Sequence, residues 1–385
     1  MKQKYYFDYA ATTPIDPRVV KAMLPYFGEI YGNTMSLHSF GMKSAEAVEK
    51  SREIIAKSIN AKADEIIFTG SATESNNLAL KGLAEAHPNK NKIIISAIEH
   101  DCVLNSARWL KSKGYRLVVL PVDKEGKIDL ELLEKEVDEK TLVVSIIHGN
   151  NEVGTIQDLQ KIGNICRNHK VYFHTDASQS FTKTKIDVED MKIDLLTASS
   201  HKIYGPKGVA ILYVRSGIMI NPILHGGGHE GGLRSSTVNV SAIVGMGKAV
   251  EISYKVGKLE SCKVEKLRDK LIKGVLKTIP DCWVNGSLTD RLYNNVNISF
   301  KNVEGESLLL ELDNRGIMCS TGSACSSNNL EPSHVLLAMG LTAPEAHGSL
   351  RFSLGRWTTE KEIDYLLAVL PKVVKKIRKI SPFKI

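Results

Sequence analysis

None of the six cysteines of this 385-residue chain forms a Cys-x-x-Cys pair. Cys102, Cys166, Cys262, Cys282, Cys319 and Cys325 are scattered, which argues against a zinc ribbon or a thioredoxin-like dithiol and for reduced thiols. No run is long and apolar enough to suggest a membrane span. The opening "MKQKYYFDYAATTP" has neither the apolar core of a secretory signal nor the Arg/Ser-rich character of a transit peptide, so a cytoplasmic enzyme is expected. No repeat or low-complexity linker interrupts the chain. The net charge of +8 is a mild bias, and the six Lys and Arg between Lys372 and Lys384 share their region with Ile363, Leu367, Leu370, Val374 and Ile377 at helical spacing. That reads as a closing amphipathic helix with a solvated basic face, with no direct nucleic-acid role expected. "GGGHEG", 226–231, matches G-x-G-x-x-G but does not follow directly on a strand. "GPKG" lacks the glycine spacing of a phosphate-binding P-loop, and His225 and His229 lie in a Gly-rich loop, so no metal site is expected.

What is present is a series of short Ile/Val-rich runs: "EIIFTG", "KIIISAI", "RLVVLPV", "TLVVSII", "VYFHTD", "DLLTAS" and "GVAILYV". They largely lack period-two alternation, as strands buried on both faces do, so an α/β fold with a mostly parallel central sheet is expected. "GMKSAEAVEKSREIIAKSIN" reads as a helix with Val48, Ile55 and Ile59 on one side. After about residue 255 the character changes: a helix over "KLESCKVEKLRDKLIKGVLKTIP", then "NNVNISF" and "GSLRFSLG", suggest a smaller α+β unit. The division expected is a large domain over 15–255 and a small one made of 1–14 and 256–385.

In open α/β sheets ligands bind at the carboxyl ends of the strands. Here those ends carry "TGSATESNN", "AIEHD", "HGNNEVG", "HTDASQS" and "SSHK". Within "SSHK", Lys202 sits in a Ser/Gly/Pro loop rather than on a charged helix face. An amine held there suits a carbonyl cofactor such as pyridoxal phosphate, which also needs a carboxylate for its ring nitrogen and ligands for its phosphate. Asp176 could be the carboxylate, with Gln179 for the ring hydroxyl, although Asp176 taken alone reads as a helix cap. Gly70, Ser71 and Thr73 lie at a strand-to-helix junction suited to an anion, where Thr73 also reads as the helix cap. Cys325 lies among Ser, Gly, Ala and Asn, an odd home for a structural cysteine and a candidate nucleophile. Arg351, on a strand whose Leu350, Phe352 and Leu354 face a core, is suited to a carboxylate.

Together "YFDYAATTP", "TGSATESNNLALKG", "EHDCVL", "HGNNEVGTIQD", "TDASQS", "SSHKIYGPKG", "HGGGHEGGLRSST", "STGSACSSNNLEPS" and "RFSLGRWT" resemble the cysteine desulfurases of the branch involved in iron–sulfur cluster assembly and nitrogenase maturation. The resemblance spans nearly the whole chain. It implies the pyridoxal phosphate-dependent fold type I, like aspartate aminotransferase, and a homodimer. By its motifs, Lys202 would carry the cofactor, Asp176 would meet its ring nitrogen, Gln179 its ring hydroxyl, and His100 would stack on the ring. Thr73, Ser199 and His201 would bind phosphate, joined by Thr237 from the second subunit. Asn151, beside the cofactor, would hold the L-cysteine carboxylate together with Arg351. Cys325 would take the substrate sulfur as a persulfide, for delivery to an iron–sulfur scaffold or a tRNA-thiolation acceptor. The chain departs from the family pattern at Thr34, Met35, Gly231 and Ser236. A selenocysteine lyase, an aminotransferase of the same fold, or a non-catalytic sulfur-trafficking scaffold are the alternatives. The last would be expected to have lost Lys202, Asp176 or Cys325, and all three are present.

Overall fold

All seven Ile/Val-rich runs become strands of one sheet. The computed structural model describes residues 4–321 and 331–381. In chain order the strands of this sheet are β2 (Ile66–Thr69), β3 (Lys92–Ser96), β4 (Arg116–Leu120), β5 (Thr141–Ser145), β6 (Tyr172–Asp176), β7 (Leu195–Ser199) and β8 (Ala210–Val214), after a short β1 (Tyr5–Tyr6) elsewhere. Their spatial order is β2-β8-β7-β6-β5-β3-β4. Strands β2, β3, β5, β7 and β8 are buried at every residue, whereas β4 at one edge of the sheet is mostly not.

One strand departs from the parallel arrangement. β8 pairs antiparallel with both β7 and β2. The reason is the brevity of the link 200–209: a parallel crossover needs a dozen or more residues and usually a helix, and this link has neither. Because β8 alone runs backwards, the carboxyl ends of the other six strands share one rim.

Residues 282–353 add a second, antiparallel sheet in the order β12-β10-β9, from β9 (Cys282–Val284), β10 (Asn295–Phe300) and β12 (Ser349–Ser353). Strand β11 (Ile317–Met318) pairs with β1. "ESLLLELD" is helical, over Gly305–Asp313. Tyr5 and Phe7 share a core with Val264, Leu271, Phe352 and Leu370, so the N-terminal strand packs with the far end of the chain. The closing helix is Glu360–Ile380, buried along Ile363, Leu366, Leu370, Val374 and Ile377.

A single helix, Val240–Thr278, connects the two regions without a break at residue 255. Its first half puts Ile243, Met246 and Val250 into the core beneath the large sheet, against the helix Ser39–Ser58. Its second half puts Val264, Leu271 and Val275 into the other core. Arg356 reinforces the junction. Its guanidinium bonds Asp16 and Glu260, both at 2.6 Å, and lies 4.2 Å from the centre of the Tyr204 ring, just past Lys202. Charges this deeply buried persist because each is paired.

Among the described residues, no helix is long and apolar enough to cross a membrane, and no group of three His, Cys, Asp or Glu side chains could hold a metal ion.

Candidate active site

The rim of the large sheet opens into a cavity of about 560 Å³. Each strand delivers its polar residue there for the same reason: the backbone leaves the sheet at its last hydrogen-bonded residue, and the side chains just beyond face the crevice. β6 ends on Asp176, β7 on Ser199, and β2 runs into Gly70; the loops after β3 and β5 bring His100 and Asn151.

Asp176 is buried and both of its oxygens are engaged. Oδ1 accepts from the Ser178 amide at 2.9 Å, and Oδ2 from Asn76 Nδ2 at 2.7 Å. No regular helix follows Asp176, so it closes a turn rather than capping a helix. Lys202 ends a one-turn 3₁₀ helix directly after β7, and its Nζ donates to the carbonyls of Ala10 and Ala11 at 2.6 and 2.7 Å. Gln179 Nε2 donates to the same Ala10 carbonyl at 2.8 Å. His201 places Nδ1 3.1 Å from the Thr12 hydroxyl. Burial, then the charges of Lys202, Lys207 and Lys183, push its pKa down to about 4, so the ring is neutral near pH 7.

At the other side of the cavity, a continuous helical stretch begins at Ala72, passes through a π turn at Leu78–Gly82 and ends at Ala86. Its cap is Ser71, not Thr73: the Ser71 hydroxyl accepts from the Glu74 amide at 3.1 Å. The correction follows from the geometry of β2, which releases the chain at Gly70, one residue before the serine. Asn76, in the second turn, is wholly buried on Asp176. Gly70, Ser71, Ala72 and Thr73 line the cavity where first-turn amides have no intrahelical partner. Glu74 anchors this turn, accepting from the Gly70 amide and pairing with Arg234 at 2.7 Å.

Arg351 reaches the cavity from β12 and is almost fully buried. Its Nη2 donates to Asp8 at 2.9 Å and its Nη1 to the Asn151 carbonyl at 3.0 Å, while Nε has no partner among the described residues. The fork is therefore held rigidly and keeps one donor in reserve.

Thr73, His100, Asn151, Asp176, Gln179, Ser199, His201, Lys202 and Arg351 are thus gathered around one cavity. Thr237 is not among them; it is exposed on the chain surface. Cys325 lies outside the described residues. Several lining or supporting groups carried no signal in the sequence: Asn76, Glu99, Cys102, Glu152 and His334. A buried polar residue reveals itself only when its neighbours are known.

Glu99 is the most perturbed of these. It is wholly buried, and its Oε1 accepts from the Ser96 hydroxyl at 2.5 Å and the Ile147 amide at 2.7 Å. Burial, reinforced by the charge of Asp176, pushes its pKa from 4.5 up to about 8. The folded chain therefore holds a proton that the unfolded chain releases above about pH 4.5, and this stabilisation is lost as the pH rises to about 8. Glu99→Gln keeps the Oε1 acceptor and cannot titrate. Urea unfolding at pH 5 and pH 8 should show the variant gaining on the wild type by on the order of a few kcal/mol at the higher pH. Parallel pH curves for both proteins would refute the assignment.

An amine beside a strand end, a carboxylate with both oxygens anchored, and a helix start with unpaired amides together fit pyridoxal phosphate, and on this sheet they define a pyridoxal phosphate-dependent enzyme of fold type I. The profile of the aminotransferase class-V family matches residues 5–366. The chain is 48% identical over 385 residues to a cysteine desulfurase IscS of Dictyoglomus turgidum, covering 100% of this chain and 98% of that protein. It is 50% identical over 378 residues to cysteine desulfurase IscS 1 of Archaeoglobus fulgidus, with 98% of each chain covered. Among solved structures, a NifS-like protein superimposes with a TM-score of 0.92 at 39% identity, over 97% of this chain and 100% of the other. SspA in complex with cysteine matches with a TM-score of 0.82 at 37% identity, over 93% and 100%. The chain belongs to the aminotransferase class-V family and, within it, to the cysteine desulfurases.

Proposed function

We propose that this chain converts L-cysteine to L-alanine and retains the sulfur on Cys325 as a persulfide. The observation that carries the reading is the convergence of Lys202, Asp176, His100 and Arg351 on one cavity. A solved relative described in complex with cysteine supports the choice of substrate.

Pyridoxal phosphate supplies an electron sink that stabilises negative charge at the substrate α-carbon. The chain does the rest. Asp176, oriented by Asn76 and the Ser178 amide, would hold the proton on the ring nitrogen. Lys202 would carry the cofactor, and its free amine would remove the substrate α-proton. Gln179 would meet the ring hydroxyl and His100 the ring face. The amides of the turn at 70–73, with Thr73, Ser199 and neutral His201, would hydrogen-bond the phosphate, helped by Thr237 of the partner subunit. Asn151 and Arg351, which both line the cavity, would bind the substrate carboxylate. The Cys325 thiolate would attack the substrate sulfur, breaking its bond to carbon and forming a disulfane bond on the enzyme. The electron pair released protonates to give alanine.

A homodimer agrees with the exposed large apolar side chains clustered in sequence between residues 24 and 42, Leu24, Phe27, Tyr31, Met35, Leu37 and Met42. We assign the enzyme to the cytoplasm, with a cluster scaffold or a tRNA-thiolation protein as sulfur acceptor. The reading also divides the chain into a large domain over 15–255 and a small one of 1–14 and 256–385.

The test is to incubate purified holoenzyme with L-cysteine and measure alanine and enzyme-bound sulfur. Without a thiol reductant, alanine should stop near one equivalent per chain, matched by cyanide-releasable sulfur; with dithiothreitol it should accumulate. Turnover that requires a keto acid would identify an aminotransferase instead. Turnover confined to selenocysteine would identify a selenocysteine lyase.

A further inference from the structure

His100 caps the helix Asp101–Ser112, and its Nδ1 accepts from the Cys102 amide at 3.2 Å. The Cys102 sulfur lies 3.0 Å from the same Nδ1. An imidazole nitrogen that accepts carries no proton, so the ring proton sits on Nε2 and the thiol is left to donate into Nδ1. The sulfur in turn accepts from Asn76 Nδ2 at 3.0 Å, and that amide gives its other hydrogen to Asp176 Oδ2 at 2.7 Å. Asn76 is wholly buried and cannot turn to water instead. Asn76 thus donates in both directions, to Asp176 and to Cys102, the thiol passes the series on to His100, and Cys102 itself lines the cavity.

We infer that Cys102 is a positioning residue for the desulfurase reaction: its thiol fixes the plane and tautomer of His100 and ties that ring to the Asn76–Asp176 pair. The inference rests on the proposed placement of His100 against the cofactor. Its chemistry differs from that of Cys325, because Cys102 acts through a hydrogen bond and never carries sulfur. A small side chain at this position would leave the Asn76 amide without its second acceptor and take the thiol contact from His100. A serine keeps a donor and an acceptor in nearly the same place.

The experiment compares Cys102→Ala, Cys102→Ser and His100→Gln in the holoenzyme. It uses alanine kinetics and nitrogen NMR of histidine-labelled protein, with the His100 signals assigned by their loss in His100→Gln. Cys102→Ala should lower kcat about 5- to 10-fold, the worth of roughly one hydrogen bond, with KM for L-cysteine within about twofold. It should also move the Nδ1 resonance, and Cys102→Ser should restore both. Wild-type kcat with an unmoved Nδ1 signal in Cys102→Ala would overturn the inference, as would equal losses in the alanine and serine variants. If His100→Gln itself keeps full kcat, the role proposed for His100 fails, whereas a moved Nδ1 signal in Cys102→Ala would still establish the contact.

Discussion

Lys202→Ala is expected to lower alanine formation by ~10⁴-fold or more, because one side chain supplies both the attachment of the cofactor and the base for the α-proton. The structural cost should be small. Lys202 is only half-buried, and its Nζ donates to the Ala10 and Ala11 carbonyls without filling any core. The chain beyond it is secured independently, since the Thr13 hydroxyl donates to the His201 carbonyl and accepts from the Tyr204 amide. The variant should therefore fold, unfold at nearly the wild-type urea concentration, and lose its cofactor on desalting. Borohydride treatment of the wild type should leave a label on the peptide carrying Lys202 and none in the variant. Retention of substantial turnover in Lys202→Ala would sink the assignment of the lysine.

Cys325→Ser should be almost as damaging, by a different route. A serine hydroxyl is scarcely ionised near neutral pH and is a poor nucleophile toward sulfur, whereas a thiol with a pKa near ~8.5 is readily tuned. Alanine formation should fall by ~10³-fold or more, and the protein should no longer accumulate cyanide-releasable sulfur. Substrate binding should survive, because Lys202, Asp176 and Arg351 are untouched. L-cysteine should still perturb the cofactor spectrum of the variant while producing no alanine. That pattern separates the two predictions: Lys202→Ala should lose the spectral response and the turnover together. Equal alanine from wild type and Cys325→Ser would mean that the sulfur leaves by another path.

Much of this site could be read from the chain alone, for a physical reason. A strand buried on both faces must be apolar throughout, so the point where polarity returns marks the sheet's rim. That is why Asp176, Ser199 and Lys202 stood out, whereas His100 was singled out only by the family resemblance. Arg351 was legible in the same way, its strand neighbours Leu350 and Phe352 being core residues. Where local propensity competed with tertiary demands, the reading slipped. Thr73 looked like the helix cap, yet the cap is Ser71, and Asn76 a turn further on is drawn into the interior by Asp176. The helix Val240–Thr278 straddles the change of character read near residue 255, because its buried face serves one core and then another, which shifts its apolar pattern midway.

The sequence by itself determined the strand set, the rim of the sheet and the chemical character of the residues placed there, since these depend on near neighbours and on side-chain type. Only the tertiary structure decided that β8 runs backwards, that Asp8 shares the guanidinium of Arg351, that Glu99 keeps its proton, and that Cys102 bridges His100 to Asn76. Each of these depends on groups far apart in the chain or on the exclusion of water, and neither distance in space nor desolvation is written in local sequence.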